Sequence, residues 1–169
     1  MAHLKGKVPS RKIDSVKVAR SWLDLGIQPV PIKRRSKKPK DGKGWNKLQV
    51  TNDTIPQFFH RGDNVGGLWG KPSGWIVDVD LDWDEAALAA PRLFPETFVY
   101  GRRTRPGTHY LYRVEGVAGS KRYDSGQGDS AKRTVISEIR ATGAQSVLPP
   151  SIHPDGYMEI GRASCRERV

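Results

Sequence analysis

The chain of 169 residues carries 29 Lys+Arg against 18 Asp+Glu, a formal net charge of +11, with 36% hydrophobic and 28% charged residues. That length and balance fit one globular domain with a real core, and no apolar run approaches the roughly 20 residues that a membrane span needs. A strongly basic surface suits a polyanionic partner, because Lys and Arg neutralise phosphates and release counterions, although a solubilising surface would read the same way.

In chain order, residues 1–12 read as a basic tail ahead of a domain spanning 13–159. The start, MAHLKGKVPSRK, has no apolar stretch of the secretory kind, so a cytoplasmic location is expected. DSVKVARSWLDLG (14–26) predicts an amphipathic helix capped by Asp14 or Ser15, with an apolar stripe of Val16, Ala19, Trp22 and Leu23 and a stop at Gly26. IQPVPI (27–32) predicts a short edge strand, since Pro29 and Pro31 cannot donate to a ladder. KRRSKKPKDGKGWNK (33–47) is a basic loop closed by Trp45: either a solvated charge run or a phosphate-facing loop whose Trp45 can stack on a base. Residues 51–62 predict a short helix with Pro56 in its first turn, and the glycine-rich 64–74 predicts tight turns or close backbone approaches, without phosphate-loop spacing.

WIVDVDLD (75–82) then predicts a strand and WDEAALAAPRLF (83–94) a helix. TFVYG (97–101) and HYLYRV (109–114) predict strands joined by the basic turn RRTRPGT, and residues 115–133 predict a loop. TVISEIR (134–140) is a strand, and SVLPPSIHPDGY (146–157) a strand running into a Pro-rich turn where His153 reads as structural. The sum is an α+β domain with a mostly antiparallel sheet flanked by helices. IGRASCRERV (160–169) has no apolar periodicity and holds the single cysteine, Cys165; it resembles one translated frame of a sequencing adapter, with Glu159 at the seam. It is therefore set aside as a non-native tail, the domain being expected to continue beyond it in the natural protein.

The carboxylates concentrate in one place. Side chains alternate along a strand, so Asp78, Asp80 and Asp82 share one face and Val77, Val79 and Leu81 the other. Neighbouring carboxylates repel unless a cation joins them, and hard oxygen donors suit Mg²⁺ or Mn²⁺. Glu138 offers a further ligand, Arg140 beside it a fork for phosphate, and His109 a donor to a phosphate oxygen. No zinc spacing and no nucleophile paired with a base is present.

The ordered set GWIVDVDLD, GRRTRPGTHYLYR and SEIRATGAQSVLPPSIHPDG, preceded by ARSWLDLGIQPVPI, KKPKDGKGW and NVGGLWGKPSG, resembles the bifunctional DNA primase/polymerase N-terminal domain of the archaeo-eukaryotic primase superfamily. The resemblance implies a primase/polymerase-type α+β core in which Asp78 and Asp80, with Glu138, hold two Mg²⁺ or Mn²⁺ ions, and His109 meets the phosphates of an incoming (d)NTP. It implies a single-stranded DNA template, replication in a phage or other mobile element, and a helicase as a C-terminal domain or separate partner. The role of Asp82 stays open. On electrostatic and positional grounds Arg140, Arg105 and Lys38 join the nucleotide site, and Arg102, Arg103 and Trp45 join the DNA path. Two alternatives remain at this level: a metal-dependent nuclease, and a non-catalytic nucleic-acid-binding module.

Overall fold

The computed structural model describes residues 12–40, 42–116, 119–126 and 133–162. Residues 1–11 of the basic tail, Asp41 of the basic loop, 117–118 and 127–132 of the expected loop, and 163–169 with Cys165 lie outside the described residues.

The N-terminal half builds a small layer. Helix α1 (Ser15–Asp24) starts where the Asp14 carboxylate accepts a hydrogen bond from the Lys17 N–H at 3.1 Å. It stops at Gly26, whose φ of +80° is the left-handed conformation that ends helices. Its stripe buries Ala19 and Trp22, and the Trp22 Nε1–H donates to the Pro149 carbonyl at 2.9 Å. Strand β1 (Pro29–Ile32) is the expected edge of a three-stranded antiparallel sheet, followed by the short helix α2 (Ile55–Phe58). The centre of this sheet is β2 (Asn64–Leu68), buried along its whole length. Both alternatives expected for 64–74 occur: Gly70 and Gly74 turn with positive φ, and Gly66 and Gly67 are close approaches within the strand. Neighbours leave no room there for a side chain; a Cβ on Gly67 would meet Ile27 at 2.9 Å and Leu148 at 3.0 Å.

The second, six-stranded sheet carries the acids on β3 (Ile76–Leu81). Helix α3 (Asp84–Leu93) packs on its back, where Leu81, Ala90 and Tyr110 form an apolar cluster. Then come β4 (Val99–Arg102), β5 (Arg105–Arg113), β6 (Lys121–Asp124) and β7 (Val135–Arg140). Strand β8 (Gln145–Val147) returns to the small sheet beside β2, and β9 (Glu159–Arg162) closes the large one, whose order is β6-β7-β3-β5-β4-β9. The expected basic turn is mostly strand, leaving Arg103 and Thr104 as the turn proper. Strand β6 lies inside the expected loop; its side chains are almost all exposed, so no apolar alternation announces it, and its backbone pairing with β7 makes it a strand. Strand β9 runs across the seam at 159/160, pairing Ile160 with Gly101 and Gly161 with Tyr100.

The two sheets meet over a core of Trp22, Phe59, Trp69, Tyr100, Leu111 and Leu148. No described helix is long and apolar enough to cross a membrane.

Candidate active site

Register assembles the site. Asp80 lies opposite His109 of β5 on one side and opposite Glu138 of β7 on the other. His109 in turn pairs with Tyr100 of β4, and Glu138 with Arg122 of β6. Directly opposed residues of antiparallel strands share a face, so Tyr100, His109, Asp80, Glu138 and Arg122 form one transverse row across five strands. Asp78 lies one pleat along the same face, opposite Arg140.

Asp78 is fully buried. His109 Nδ1 stands 3.1 and 3.0 Å from its two oxygens, the Tyr100 hydroxyl donates at 3.4 Å, and the Ser146 hydroxyl donates as well. Ser146 also accepts from Trp69 Nε1 at 2.9 Å and from Arg140 Nη1 at 3.1 Å. Burial opposes the Asp78 charge, but His109, Arg140 and Ser146 together outweigh it and hold the carboxyl below its ordinary value. Burial also works against a charged His109, and here the Asp78 and Asp80 carboxylates prevail and hold it above its usual value. Its ring stacks on Tyr100, with centroids 4.4 Å apart and an interplanar angle of 5°. Asp80 goes the other way: burial lifts its carboxyl above the usual range in spite of His109 and Arg140.

The carboxylates that converge are Asp80, Asp82 and Glu138, whose nearest oxygens all lie within 4.8 Å of one another. Three carboxylate oxygens at this spacing fit a hard divalent cation such as Mg²⁺ or Mn²⁺. Arg140 supplies the local positive charge, with Nη2 at 2.6 Å from Asp80 and 3.1 Å from Glu138. Of the three expected ligands the structure thus joins Asp80 and Glu138 to Asp82, while Asp78 is turned towards His109.

A narrow cavity opens beside these acids, lined by Asp80 and Asp82 together with Lys37, Arg102, Arg105, His109, Arg140 and His153. Arg105 is braced by Asp84 at 2.9 Å and by the Asp82 carbonyl at 2.9 Å, and Arg102 by Asp155 and His153 Nδ1. Arg103 is exposed in the hairpin turn and Lys38 is exposed in the basic loop, whereas the neighbouring Lys37 reaches the cavity. Trp45 lies on the other flank, packed against the small-sheet core and lining a second cavity with Glu138 and Arg140. Sequence reasoning missed Lys37, Ser146 and Tyr100, and it set His153 aside. Asn64 holds the loop bearing His153 by a reciprocal pair of bonds with the Ile152 backbone, at 2.6 and 2.9 Å. A polar residue at the start of an otherwise apolar buried strand was the available signal for that clamp. Glu159 also lines the cavity; it is 3% exposed, its Oε2 has no partner among the described residues, and burial raises its carboxyl to about 7.

Fold and site together define an α+β domain that sets a carboxylate cluster able to hold a metal ion beside a narrow cavity lined by several cations. Residues 19–165 match the family of the bifunctional DNA primase/polymerase, N-terminal domain, and the chain belongs to that family. No curated protein matches the chain significantly.

Proposed function

We propose that this chain is the catalytic domain of a DNA primase/polymerase that joins (d)NTPs on a single-stranded DNA template by two-metal nucleotidyl transfer, within the replication of a mobile element. The carrying observation is the transverse row that puts Asp80 between His109 and Glu138 at the mouth of a cation-lined cavity. In this reading Asp80, Asp82 and Glu138 hold the divalent cations. Mg²⁺ or Mn²⁺ bound there would acidify the primer hydroxyl and offset charge on the leaving pyrophosphate.

The remaining residues bind and orient. His109, fixed through Nδ1 by Asp78, presents its Nε2 edge to the cavity, at 3.6 Å from Asp80. Lys37, Arg102, Arg105 and Arg140 surround the triphosphate with positive charge, in a setting where such charge acts strongly on phosphates. Asp78 acts from behind as a buried anion that sets the orientation and charge of His109.

Calorimetric titration of the folded protein with dATP, with and without Mn²⁺, tests this. Binding is expected only with the metal, and Asp80→Asn/Asp82→Asn is expected to weaken it at least tenfold. Asp78→Asn is expected to keep Mn²⁺ binding while weakening dATP; loss of Mn²⁺ itself in that variant would make Asp78 a direct ligand. Wild-type protein that folds yet shows no metal-dependent dATP binding would refute the proposal. DNA degradation without added dNTPs would turn it towards a nuclease.

A further inference from the structure

The second cavity carries an inference that rests on the reading above. It has a volume of about 340 Å³ and is lined by Trp45, Lys121, Arg122, Ala144 and Gln145 as well as by Glu138 and Arg140. That size falls within the range of small-molecule sites, roughly 300–1,000 Å³. The two cavities abut. Both are lined by Arg140 and Gln145, and the acids at their junction, Asp80 and Glu138, are cross-strand partners.

Their chemistries differ in the way the two ends of a nucleotide differ. The first is narrower, about 50 Å³, and gathers Lys37, Arg102, Arg105, His109 and His153 around Asp80, Asp82 and Glu159, a set that suits phosphates once a divalent cation offsets the acids. The second offers the half-buried indole of Trp45 and the methyl of Ala144, with Lys121 and Arg122 at the β6 rim and Arg140 on the wall it shares with the first. A nucleotidyl transfer requires the α-phosphorus to lie at the carboxylate cluster, between the attacking and leaving oxygens. With the β- and γ-phosphates in the cationic cavity, the nucleoside must leave the cluster on the opposite side.

We infer that the Trp45 cavity is the nucleoside subsite, in which the base of the incoming (d)NTP stacks on the Trp45 ring. The loop that bears Trp45 then serves both ends of one ligand. Lys37 lines the phosphate cavity, and the Gln145 side chain, which lines both cavities, donates to the Lys37 carbonyl at 2.8 Å. Gly44, at φ +88°, sets the turn from which the Trp45–Lys47 helical turn starts.

The test compares dATP with inorganic tripolyphosphate, both titrated with Mn²⁺ into the whole chain. Stacking on an aromatic ring leads us to expect dATP to bind about tenfold or more tightly than tripolyphosphate. Trp45→Ala is expected to bring dATP to within about twofold of tripolyphosphate, whose own affinity stays unchanged, while Trp45→Phe keeps most of the preference. Because Trp45 also packs on the small-sheet core, Ala144→Met is the companion variant: it fills the cavity while leaving that packing in place, and it should abolish the same preference. Circular dichroism establishes that each variant is folded. Equal losses for both ligands, or no loss in either variant, would overturn the inference and leave the proposed function standing. So would wild-type protein that binds the two ligands equally, or a Trp45→Ala effect confined to a single-stranded oligonucleotide, which would assign the ring to the template. Wild-type protein that binds neither ligand with Mn²⁺ would bring down the proposed function, and the subsite with it.

Discussion

At the scale of single residues, the site depends on buried polar groups. Ser146 is 3% exposed and satisfies three partners at once: it donates to Asp78 and accepts from Trp69 and Arg140. Ser146→Ala removes none of those partners and leaves a buried indole N–H and a buried carboxylate each one bond short. A loss of about 1–3 kcal/mol is expected, read by urea unfolding. His109 should also lose orientation, so dATP affinity should fall further than Mn²⁺ affinity. Glu159 makes the opposite case, a buried carboxylate with an unpartnered oxygen. Its carboxyl rises from 4.5 to about 7, so between those values the folded chain keeps a proton that the unfolded chain releases. Stability from this group therefore falls as pH rises through that window and stays low above it. Glu159→Gln should be close to neutral near pH 4.5 and stabilising at pH 8, by a gain on the order of 1–3 kcal/mol. An equal effect at both pH values would show that the buried charge is not the cause.

At the scale of elements, what could be read in the sequence followed how strongly each segment states its period. Helix α1 announces itself through Asp14, its apolar stripe and Gly26, and β3 through the alternation of Val77, Val79 and Leu81 with the aspartates. Glu138 and Arg140 could be chosen because they share one face of a readable strand, and His109 because it begins a strand directly after a basic turn. Their relative placement could not, since register depends on pairing partners far apart in the chain, and a slip of one residue would send every side chain to the other face. That is why the sequence alone could not show that Asp82 lies beside Glu138, or that Asp78 lies against His109. Strand β6 was unreadable because an edge strand exposed on both sides needs no apolar residues. Strand β2 was obscured because its central positions are glycines whose space is filled by other elements. Gly67→Ala should accordingly act as an overpacking substitution against Ile27 and Leu148, costing about 1–3 kcal/mol in urea unfolding, although alanine has the better intrinsic propensity. An unchanged midpoint would mean that the small sheet can yield at that position.

At the scale of the whole molecule, the charges divide into two populations. Lys37, Arg102, Arg105 and Arg140 line the cavity beside the acids, with Arg102, Arg105 and Arg140 each ion-paired to an acidic neighbour; Lys33, Arg34 and Lys43 stand exposed in the loop that leads to it. In the proposed function the first population addresses one small, highly charged ligand at short range. The second adds to a net charge of +11 and in the same proposal acts on a long polyanion, where affinity arises from counterions released per phosphate contact. The two should separate experimentally. Single-stranded oligonucleotide binding by the wild-type chain should fall linearly with salt on logarithmic axes, each contact contributing a slope of about −0.7. Replacing Lys33, Arg34 and Lys43 together by Ala should make that slope shallower by about 2, while Mn²⁺-dependent dATP binding keeps its wild-type affinity. A slope that does not change would place the DNA path away from this loop. A joint loss of dATP binding would mean that the loop and the cavity act as one surface, with long-range charge already contributing to nucleotide capture.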